Sequence, residues 1–258
     1  MTPTNAARET PVEIADRRML LRRNLEHVRA RIAAACGRCG RDAASVRLVA
    51  VTKYVSEDVI RDLLAVGAVD LGENRVQQLA QRVETIGGAA AGLEDARAIG
   101  EPRWHMIGHL QRNKVKALLK CCAIVHSLDS IRLAEEIQVR AAELGRTVDV
   151  LLEINVAGEA AKTGAPASET EMLARATAAM PNLRVRGLMT MAPLDELPEA
   201  ARPHFRALRE LLVRLRDAGA LPATARELSM GMSHDFEQAI EEGATMVRVG
   251  SALFEGVC

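Results

Sequence analysis

Apolar residues follow two rhythms along this chain, and from residue 46 onward the two rhythms alternate. Short runs of β-branched and other apolar residues, typical of buried strands, are separated by longer segments with apolar residues at helical spacing. The pattern predicts eight strands, near residues 47–52, 68–71, 103–107, 123–127, 148–155, 184–190, 226–230 and 246–250. Ahead of them, residues 12–35 are predicted to form an amphipathic helix from the spacing of Ile14, Leu21, Leu25, Val28 and Ile32.

Helices are predicted between successive strands, and residues that favour helix ends mark several of them. Ser56 is the expected N-cap of a helix over 57–66, and Ser233 that of the last helix, which is expected to end at Gly243. A run of glycine and alanine over 87–92 predicts a flexible loop, part of an insert over about 87–100. The other predicted helices cover residues 74–86, 111–120, 130–144, 169–179 and 199–218.

Strict alternation of strand and helix determines the architecture that we expect. It requires parallel strands joined by right-handed crossovers, and eight such units predict an α/β fold, a single (β/α)8 TIM barrel with an extra N-terminal helix. The domain is expected to span residues 13–258, after a disordered lead over 1–12. A doubly wound open sheet is the alternative, but the segment after the first strand, Lys53-Tyr54-Val55, lacks the glycines typical of that fold.

Composition excludes several classes of function. The 34 basic and 34 acidic residues balance, so no net field attracts nucleic acid or an anionic membrane. A single Trp and a single Tyr argue against a base-stacking platform. No apolar stretch approaches the roughly 20 residues of a membrane-spanning helix, and no secretory signal is recognisable. Five cysteines without the spacing of a disulfide framework indicate thiols in a reducing cytoplasm.

In a barrel of this kind, chemistry takes place at the rim where strands end and their following loops begin. Lys53 closes the first strand. Alternation places it on the same face as Val49 and Val51, so its amine is expected to project over the barrel mouth. A partly buried lysine amine loses its proton more readily and can then condense with an aldehyde. The alternative is a solvated or salt-bridged rim lysine without a chemical role.

The far end of the chain carries residues that suit a phosphate. After the seventh strand, serine hydroxyls, a glycine that lets the backbone approach a ligand and the start of a helix lie close together in the sequence. The alternative is that Ser233 is simply the N-cap of the last helix, which would need no ligand. Arg248 within an apolar strand needs an anion or an acceptor, and a structural salt bridge is the alternative to a ligand. Because the last strand of a closed barrel neighbours the first, these residues are expected beside Lys53. The candidates are Ser229, Gly231, Ser233, Arg248, Gly250 and Ser251.

Two histidines lie near the end of the third strand, four positions apart. His105 and His109 would form a metal pair only in a helix, whereas residues 104–108 are predicted as a strand, without the acidic residue of a zincin motif. We therefore expect one hydrogen-bonding rim histidine, His105, and no metal site.

Six motifs in a fixed order carry a resemblance to a known family. They cover residues 50–53, 72–77, 104–114, 186–191, 228–235 and 247–254. Over about residues 15–256 the chain resembles the YggS/PROSC family, the pyridoxal phosphate homeostasis proteins. It departs from that family in the insert over about 87–100 and in its ending, Phe254-Glu255-Gly256, where many members have Phe-Gly.

The resemblance implies an alanine-racemase-like barrel that carries pyridoxal 5′-phosphate (PLP) as a Schiff base on Lys53. It also implies that Arg248 lies beside the pyridine nitrogen and that Asn74 and Met189 line the ring. The phosphate would be surrounded by Ser229, Ser233, Gly250 and Ser251.

The expected function is PLP binding in intracellular PLP homeostasis, without robust catalysis. A racemase needs a second base, and Tyr54, the single tyrosine, is expected to point away from Lys53. The chain is also expected to lack the second domain that supplies this base in alanine racemases, which favours a monomer. Apo-enzymes that use PLP are candidate partners. A fold-type-III amino-acid racemase and a Schiff-base aldolase are the alternatives.

Overall fold

The computed structural model of the protein describes residues 10–90, 101–158, 163–193 and 197–257, and this part of the chain contains nine β-strands and eight α-helices. The strands are β1 (Arg47–Val51), β2 (Asp70–Glu73), β3 (Arg103–Met106), β4 (Ile124–Leu128), β5 (Val148–Asn155), β6 (Ala165–Pro166), β7 (Leu183–Met189), β8 (Glu227–Ser229) and β9 (Met246–Val249). The helices are α1 (Pro11–Arg38), α2 (Glu57–Ala65), α3 (Val76–Ala90), α4 (Val115–Leu118), α5 (Ile131–Glu143), α6 (Thr170–Ala178), α7 (Arg202–Asp217) and α8 (Phe236–Glu241).

Eight of the strands form a closed parallel barrel in the order β4-β3-β2-β1-β9-β8-β7-β5, and pairing between β4 and β5 completes the ring. The short β6 pairs only with β5 in the described part of the chain. The predicted (β/α)8 barrel with an extra N-terminal helix is therefore confirmed, whereas β6 was not predicted.

Closure depends on β1, which pairs with β2 on one side and with β9 on the other. Val49 lies opposite Arg248, and Ala50 lies opposite both Val249 and Leu71. Because both pairings are parallel, the loops that follow β1 and β9 leave the barrel side by side at the same rim.

The main core lies between the barrel and its helices, where apolar faces such as that of α7 are buried. Inside the barrel, a small apolar layer of Ile124, Leu151, Met189 and Met246 is separate from that core. Helix α1 covers α2 and α8 and is tied to both by ion pairs. Arg18 lies 2.5 Å from Asp62, and Arg31 lies 2.7 Å from Glu237.

Two helix starts differ from the sequence predictions. Thr10 and Glu13 form a capping box, so α1 begins at Pro11 and the last two residues of the lead predicted over 1–12 are helical. Ser233 does not cap α8, which begins at Phe236 after Asp235; its hydroxyl instead accepts a hydrogen bond from the Gly250 N–H at 3.1 Å. Ser56 caps α2 as predicted, since its hydroxyl accepts from the Val59 N–H.

The glycine- and alanine-rich run is partly helical. Helix α3 continues through residue 90, so the loop predicted over 87–92 is wrong for its first four residues, and residues 91–100 lie outside the described part of the chain. Alanine favours a helix more than any other residue, which offsets the cost of the two glycines. Among the described residues, no helix is both long and apolar enough to cross a membrane.

Gly187 provides a test of barrel packing. Its φ is +155°, and an added Cβ would overlap the carbonyl oxygen of Glu227 on β8. We expect Gly187→Ala to lower the free energy of unfolding by about 3 kcal/mol, because one of the two backbones must move. Gly219, at φ +63° with open space around it, is the control, and Gly219→Ala should cost about 1 kcal/mol. Equal losses in urea denaturation would show that β7 and β8 are not this tightly packed.

Candidate functional site

Lys53 lies in a turn just beyond β1, which ends at Val51. Its Nζ is 4.7 Å from the ring centroid of Tyr54, a side chain that is 86% exposed. The alternation rule therefore does not apply here, and the expectation that Tyr54 points away from Lys53 is wrong: the two side chains are in contact. Lys53 itself is half-buried at the rim, as expected for a residue at this strand end.

A buried ion pair beneath this turn holds the backbone on both sides of Lys53. Arg82 of α3 donates to the carbonyl oxygens of Thr52, at 2.8 Å, and of Val55, and it forms an ion pair with Glu73. The Thr52 hydroxyl donates to the same carboxylate. Thr52, Glu73 and Arg82 are all buried, so the turn that carries Lys53 is fixed to α3 and to the end of β2.

The carboxyl group of Glu73 interacts with the Lys53 amine as well. Burial raises the pKa of Glu73, and Thr52, Arg82 and Lys53 oppose that shift. The Oε2 atom of Glu73 is buried without a hydrogen-bond partner among the described residues. The site therefore keeps a buried acceptor within electrostatic range of the amine.

Glu73 falls within the motif over residues 72–77, but sequence reasoning gave it no role and did not identify Arg82. A signal was present, because Arg82 falls within the apolar face of α3, which otherwise buries Val76, Leu79 and Ile86. A charged residue on such a face needs a buried partner.

The turn after β8 and the end of β9 are joined directly. The Gly250 N–H donates to the Ser233 hydroxyl at 3.1 Å, and the Arg248 N–H donates to the Gly231 carbonyl at 3.0 Å. Gly250 also lies beside Val51, because Ala50 and Val249 before them are paired, and a Cβ added to Gly250 would lie 3.4 Å from the Val51 Cβ. Three chain segments thus meet at one point of the rim: the end of β1, the turn after β8 and the end of β9.

Gly231 is required by packing as well as by any ligand. Its φ is +90°, and an added Cβ would lie 2.6 Å from the Ala239 Cβ and 2.9 Å from the Phe236 Cα. The glycine therefore allows the turn to lie directly against α8. Ser251, which begins a short 3₁₀ turn after Gly250, is exposed at the rim.

Arg248 lies inside the barrel mouth and is almost fully buried. Its Nη1 donates to the Ser229 hydroxyl at 2.7 Å, and its Nη2 donates to the Thr190 carbonyl at 2.9 Å. These bonds use two of the five N–H groups of a guanidinium. Among the described residues Arg248 forms no ion pair within 4.0 Å, and the Ser229 hydroxyl and the Thr190 carbonyl hold its guanidinium instead.

Arg248 keeps its charge at neutral pH. Burial lowers the pKa of Arg248 to about 10, and Asp235 and Glu153 oppose that shift. Glu153, at the end of β5, was not identified from the sequence. Its Oε1 accepts from the Thr163 hydroxyl at 2.5 Å, and its buried Oε2 has no hydrogen-bond partner in the part of the chain described. Burial raises the pKa of Glu153.

Ser229 and His105 lie deeper than the sequence predicted. The Ser229 hydroxyl is fully buried between Arg248 and the Nδ1 of His126, at 2.9 Å from the latter. The Nε2 of His126 is 2.8 Å from the Nδ1 of His105, whose Nε2 is 3.0 Å from the Oδ1 of Asp70. The prediction of a rim position for His105 is therefore wrong: it belongs to an internal polar chain of Asp70, His105, His126, Ser229 and Arg248.

Burial favours the uncharged form of both histidines of the internal polar chain. Burial lowers the pKa of His105, although Asp70 opposes the shift. Burial also lowers the pKa of His126, well below its usual range, and the nearby His105 and Arg248 lower it further.

The two residues expected to line a ring occupy different depths. Asn74 is half-buried directly after β2, and Gly108 packs against its backbone so closely that a Cβ there would overlap the Asn74 carbonyl. Met189 ends β7 and is fully buried in the apolar layer inside the barrel. Among the described residues, no group of three or more His, Cys, Asp or Glu side chains could hold a metal ion.

Comparison with known proteins assigns this chain to a family. The family model described as alanine racemase, N-terminal domain, matches residues 23–256. The pyridoxal phosphate homeostasis protein of Aquifex aeolicus (strain VF5) is 45% identical over 232 residues, which cover 89% of this chain and 95% of that protein. The chain belongs to the pyridoxal phosphate homeostasis protein family.

Two solved structures are similar to this chain over most of its length. A crystal structure of an unknown protein from Bifidobacterium adolescentis is 37% identical, with a TM-score of 0.84, and the match covers 93% of this chain and 96% of that one. PipY of Synechococcus elongatus, solved with PLP bound, is 29% identical, with a TM-score of 0.75, and the match covers 91% of this chain and 99% of that one.

The buried pair beneath Lys53 can be tested by unfolding experiments. Arg82→Met leaves the Glu73 carboxylate buried without its partner and frees the Thr52 and Val55 carbonyls. We expect a loss of about 3–5 kcal/mol in the free energy of unfolding, measured in urea. Arg61→Met, which removes ion pairs with the exposed Asp58 and with Glu57, is the control and should cost less than about 1 kcal/mol. Similar losses in the two variants would contradict the proposed role of Arg82.

Proposed function

We propose that this protein binds PLP at the carboxyl-terminal rim of its barrel and acts in PLP homeostasis as a carrier without robust catalysis. The observation that carries the proposal is the meeting of three segments at the rim, where Gly250 lies beside Val51 and donates to the Ser233 hydroxyl. This contact brings the turn of Lys53 beside hydroxyl and backbone groups suited to a phosphate. Family membership and the PLP held by PipY support the same ligand.

Lys53 is the residue that we propose bonds to the aldehyde. Its neutral amine adds to the aldehyde carbon, a C=N bond forms and water leaves. The contact between Nζ and the exposed Tyr54 ring is a small obstacle, because a cation–π interaction at an exposed site contributes only about 0.5–1 kcal/mol. The Glu73–Arg82 pair keeps the backbone of the turn in place while the side chain moves.

The phosphate is proposed to lie against Ser233, Gly250 and Ser251. Ser251 is exposed at the rim, and Ser233 has a hydroxyl that accepts from Gly250 and can still donate its own proton to an anion. Gly231 keeps the turn close to α8. Ser229, whose hydroxyl is committed to Arg248 and His126, is proposed to act through Arg248 rather than on the phosphate itself.

We expect weak catalysis because of the residues proposed to surround the pyridine ring of PLP. We propose that Asn74 and Met189 line the ring and that Arg248 faces its nitrogen. Bound PLP supplies an electron sink, and the sink is weaker when the ring nitrogen is unprotonated. Arg248 stays charged at neutral pH and can only donate, so it favours the unprotonated nitrogen.

Neither Tyr54 nor His105 stands opposite Lys53 as a second base. Tyr54 lies beside Lys53 instead of across the mouth, and His105 is enclosed in the internal polar chain. Both observations favour a carrier over a racemase.

The cellular compartment of the protein is proposed from its thiols. The four described cysteines are free thiols, which suits a reducing cytoplasm. We propose a monomer that passes PLP to apo-enzymes.

Borohydride trapping tests the attachment residue. After incubation with PLP and reduction, we expect mass spectrometry to find the adduct on the peptide that contains Lys53. Lys53→Arg keeps the charge but removes the nucleophile and should lose both the adduct and the near-visible absorbance of the loaded protein. Lys116→Ala, on α4, is the control and should keep both. Adduct on another lysine in the wild type would overturn the assignment to Lys53.

Isotope exchange distinguishes a carrier from an enzyme. In deuterated water, the PLP-loaded protein should exchange the α-proton of alanine and other amino acids no faster than free PLP. Exchange at enzyme-like rates, abolished by Lys53→Arg, would replace the carrier with the racemase alternative. Borohydride trapping of a sugar phosphate in place of PLP would instead indicate the aldolase.

A further inference from the structure

The internal polar chain crosses the inside of the barrel from one end to the other. It begins at Asp70, the first residue of β2, which faces a cleft at the amino-terminal ends of the strands together with Arg47 and Arg103. It ends at Arg248, near the mouth. Each consecutive pair of polar atoms is 2.7–3.0 Å apart, and all five side chains are buried. The proposed function uses only Arg248 directly.

The two ends of this chain differ in the hydrogen bonds they can make. Burial raises the pKa of Asp70, but the hydrogen bonds from His105 and Arg103 outweigh it, so the pKa is lowered and the group is a carboxylate at neutral pH. A carboxylate only accepts hydrogen bonds, whereas a guanidinium only donates. The direction of every bond between the two ends is therefore set by them.

If both histidines are neutral, the hydrogen bonds that start from Asp70 can point in only one direction along the chain. His105 must donate from Nε2 to Asp70, so its Nδ1 is an acceptor. His126 must then donate from Nε2 to His105, so its own Nδ1 accepts from the Ser229 hydroxyl. Ser229, having donated its only proton, presents lone pairs to Arg248. Both ring nitrogens of each histidine and the Ser229 hydroxyl then have a partner, and reversing any one bond would leave two donors or two acceptors facing each other.

We propose that Asp70, His105, His126 and Ser229 form a relay of fixed direction that positions the Arg248 guanidinium toward the ring nitrogen of the bound ligand. The relay keeps the Ser229 hydroxyl from turning its proton toward Arg248. With the Thr190 carbonyl on its other side, the guanidinium plane is held by two acceptors. The relay itself does not require PLP, whereas its target, the ring nitrogen, rests on the proposed function.

Nitrogen NMR of the PLP-free protein tests the direction of the relay. With ¹⁵N-labelled histidine, His105 and His126 should both show neutral rings protonated on Nε2 at neutral pH. Spectra of His105→Asn and His126→Asn assign the signals. A ring protonated on Nδ1, or a charged ring, at either position would overturn the relay.

Asp70→Asn tests whether the carboxylate sets that direction. An amide can donate as well as accept, so we expect the Nδ1-protonated form to appear at both histidines. Asp149→Asn makes the same change on β5, where Asp149 pairs with Arg184, and should leave both rings unchanged. Unchanged rings in both variants would show that Asp70 does not set the direction.

Ligand binding tests the effect on Arg248. Ser229→Ala removes one acceptor of the guanidinium, and we expect PLP to bind about tenfold more weakly. The affinity for a PLP analogue with C–H in place of the ring nitrogen should change much less, because Arg248 has no acceptor to bond there. Ser127→Ala, at a buried hydroxyl without a hydrogen-bond partner among the described residues, is the control and should affect neither ligand.

The two ligands and the NMR experiment separate the possible failures. Equal losses for PLP and the analogue in Ser229→Ala would contradict positioning toward the ring nitrogen. If the wild type binds neither ligand while the histidines carry their protons on Nε2, the proposed function fails and the relay remains. If PLP binds and either histidine is protonated on Nδ1, the relay fails and the proposed function remains.

Discussion

The pairing of β1 with β9 is the contact on which the rest of this structure depends. Val49 lies opposite Arg248, so residues almost two hundred positions apart in the sequence become neighbours. The same closure brings Gly250 against Val51 and, through it, the Ser233 turn beside the turn of Lys53. A nucleophilic amine and a set of anion-binding groups can then face one ligand although neither lies near the other along the chain.

Buried polar groups, rather than the apolar core, give the site its geometry. One cluster, Glu73 with Arg82 and Thr52, fixes the backbone around Lys53 from below. The other, the internal polar chain, runs through the barrel to Arg248. Burying charges costs free energy that apolar residues of similar size would not cost. Both clusters end at residues proposed to meet PLP, so a function in holding the ligand accounts for that cost.

The sequence predicted the strands and the barrel well, because periodicity and strict alternation report on burial and on parallel pairing. It failed where a residue lies beyond the end of an element or depends on a distant partner. Tyr54 contacts Lys53 because the strand has already ended there. Ser233 accepts from Gly250 instead of capping α8, and His105 turns inward to meet His126. Arg82 was overlooked because its partners at Thr52 and Glu73 become neighbours only in the folded barrel.

A crystal structure of the protein grown with PLP tests the central claim most directly. The account predicts continuous electron density from the Lys53 amine to the ligand, with the phosphate against Ser233, Gly250 and Ser251 and the Arg248 guanidinium within hydrogen-bond distance of the ring nitrogen. Phosphate density at another place in the barrel, or a Lys53 side chain that remains on Tyr54 while PLP is bound elsewhere, would contradict it.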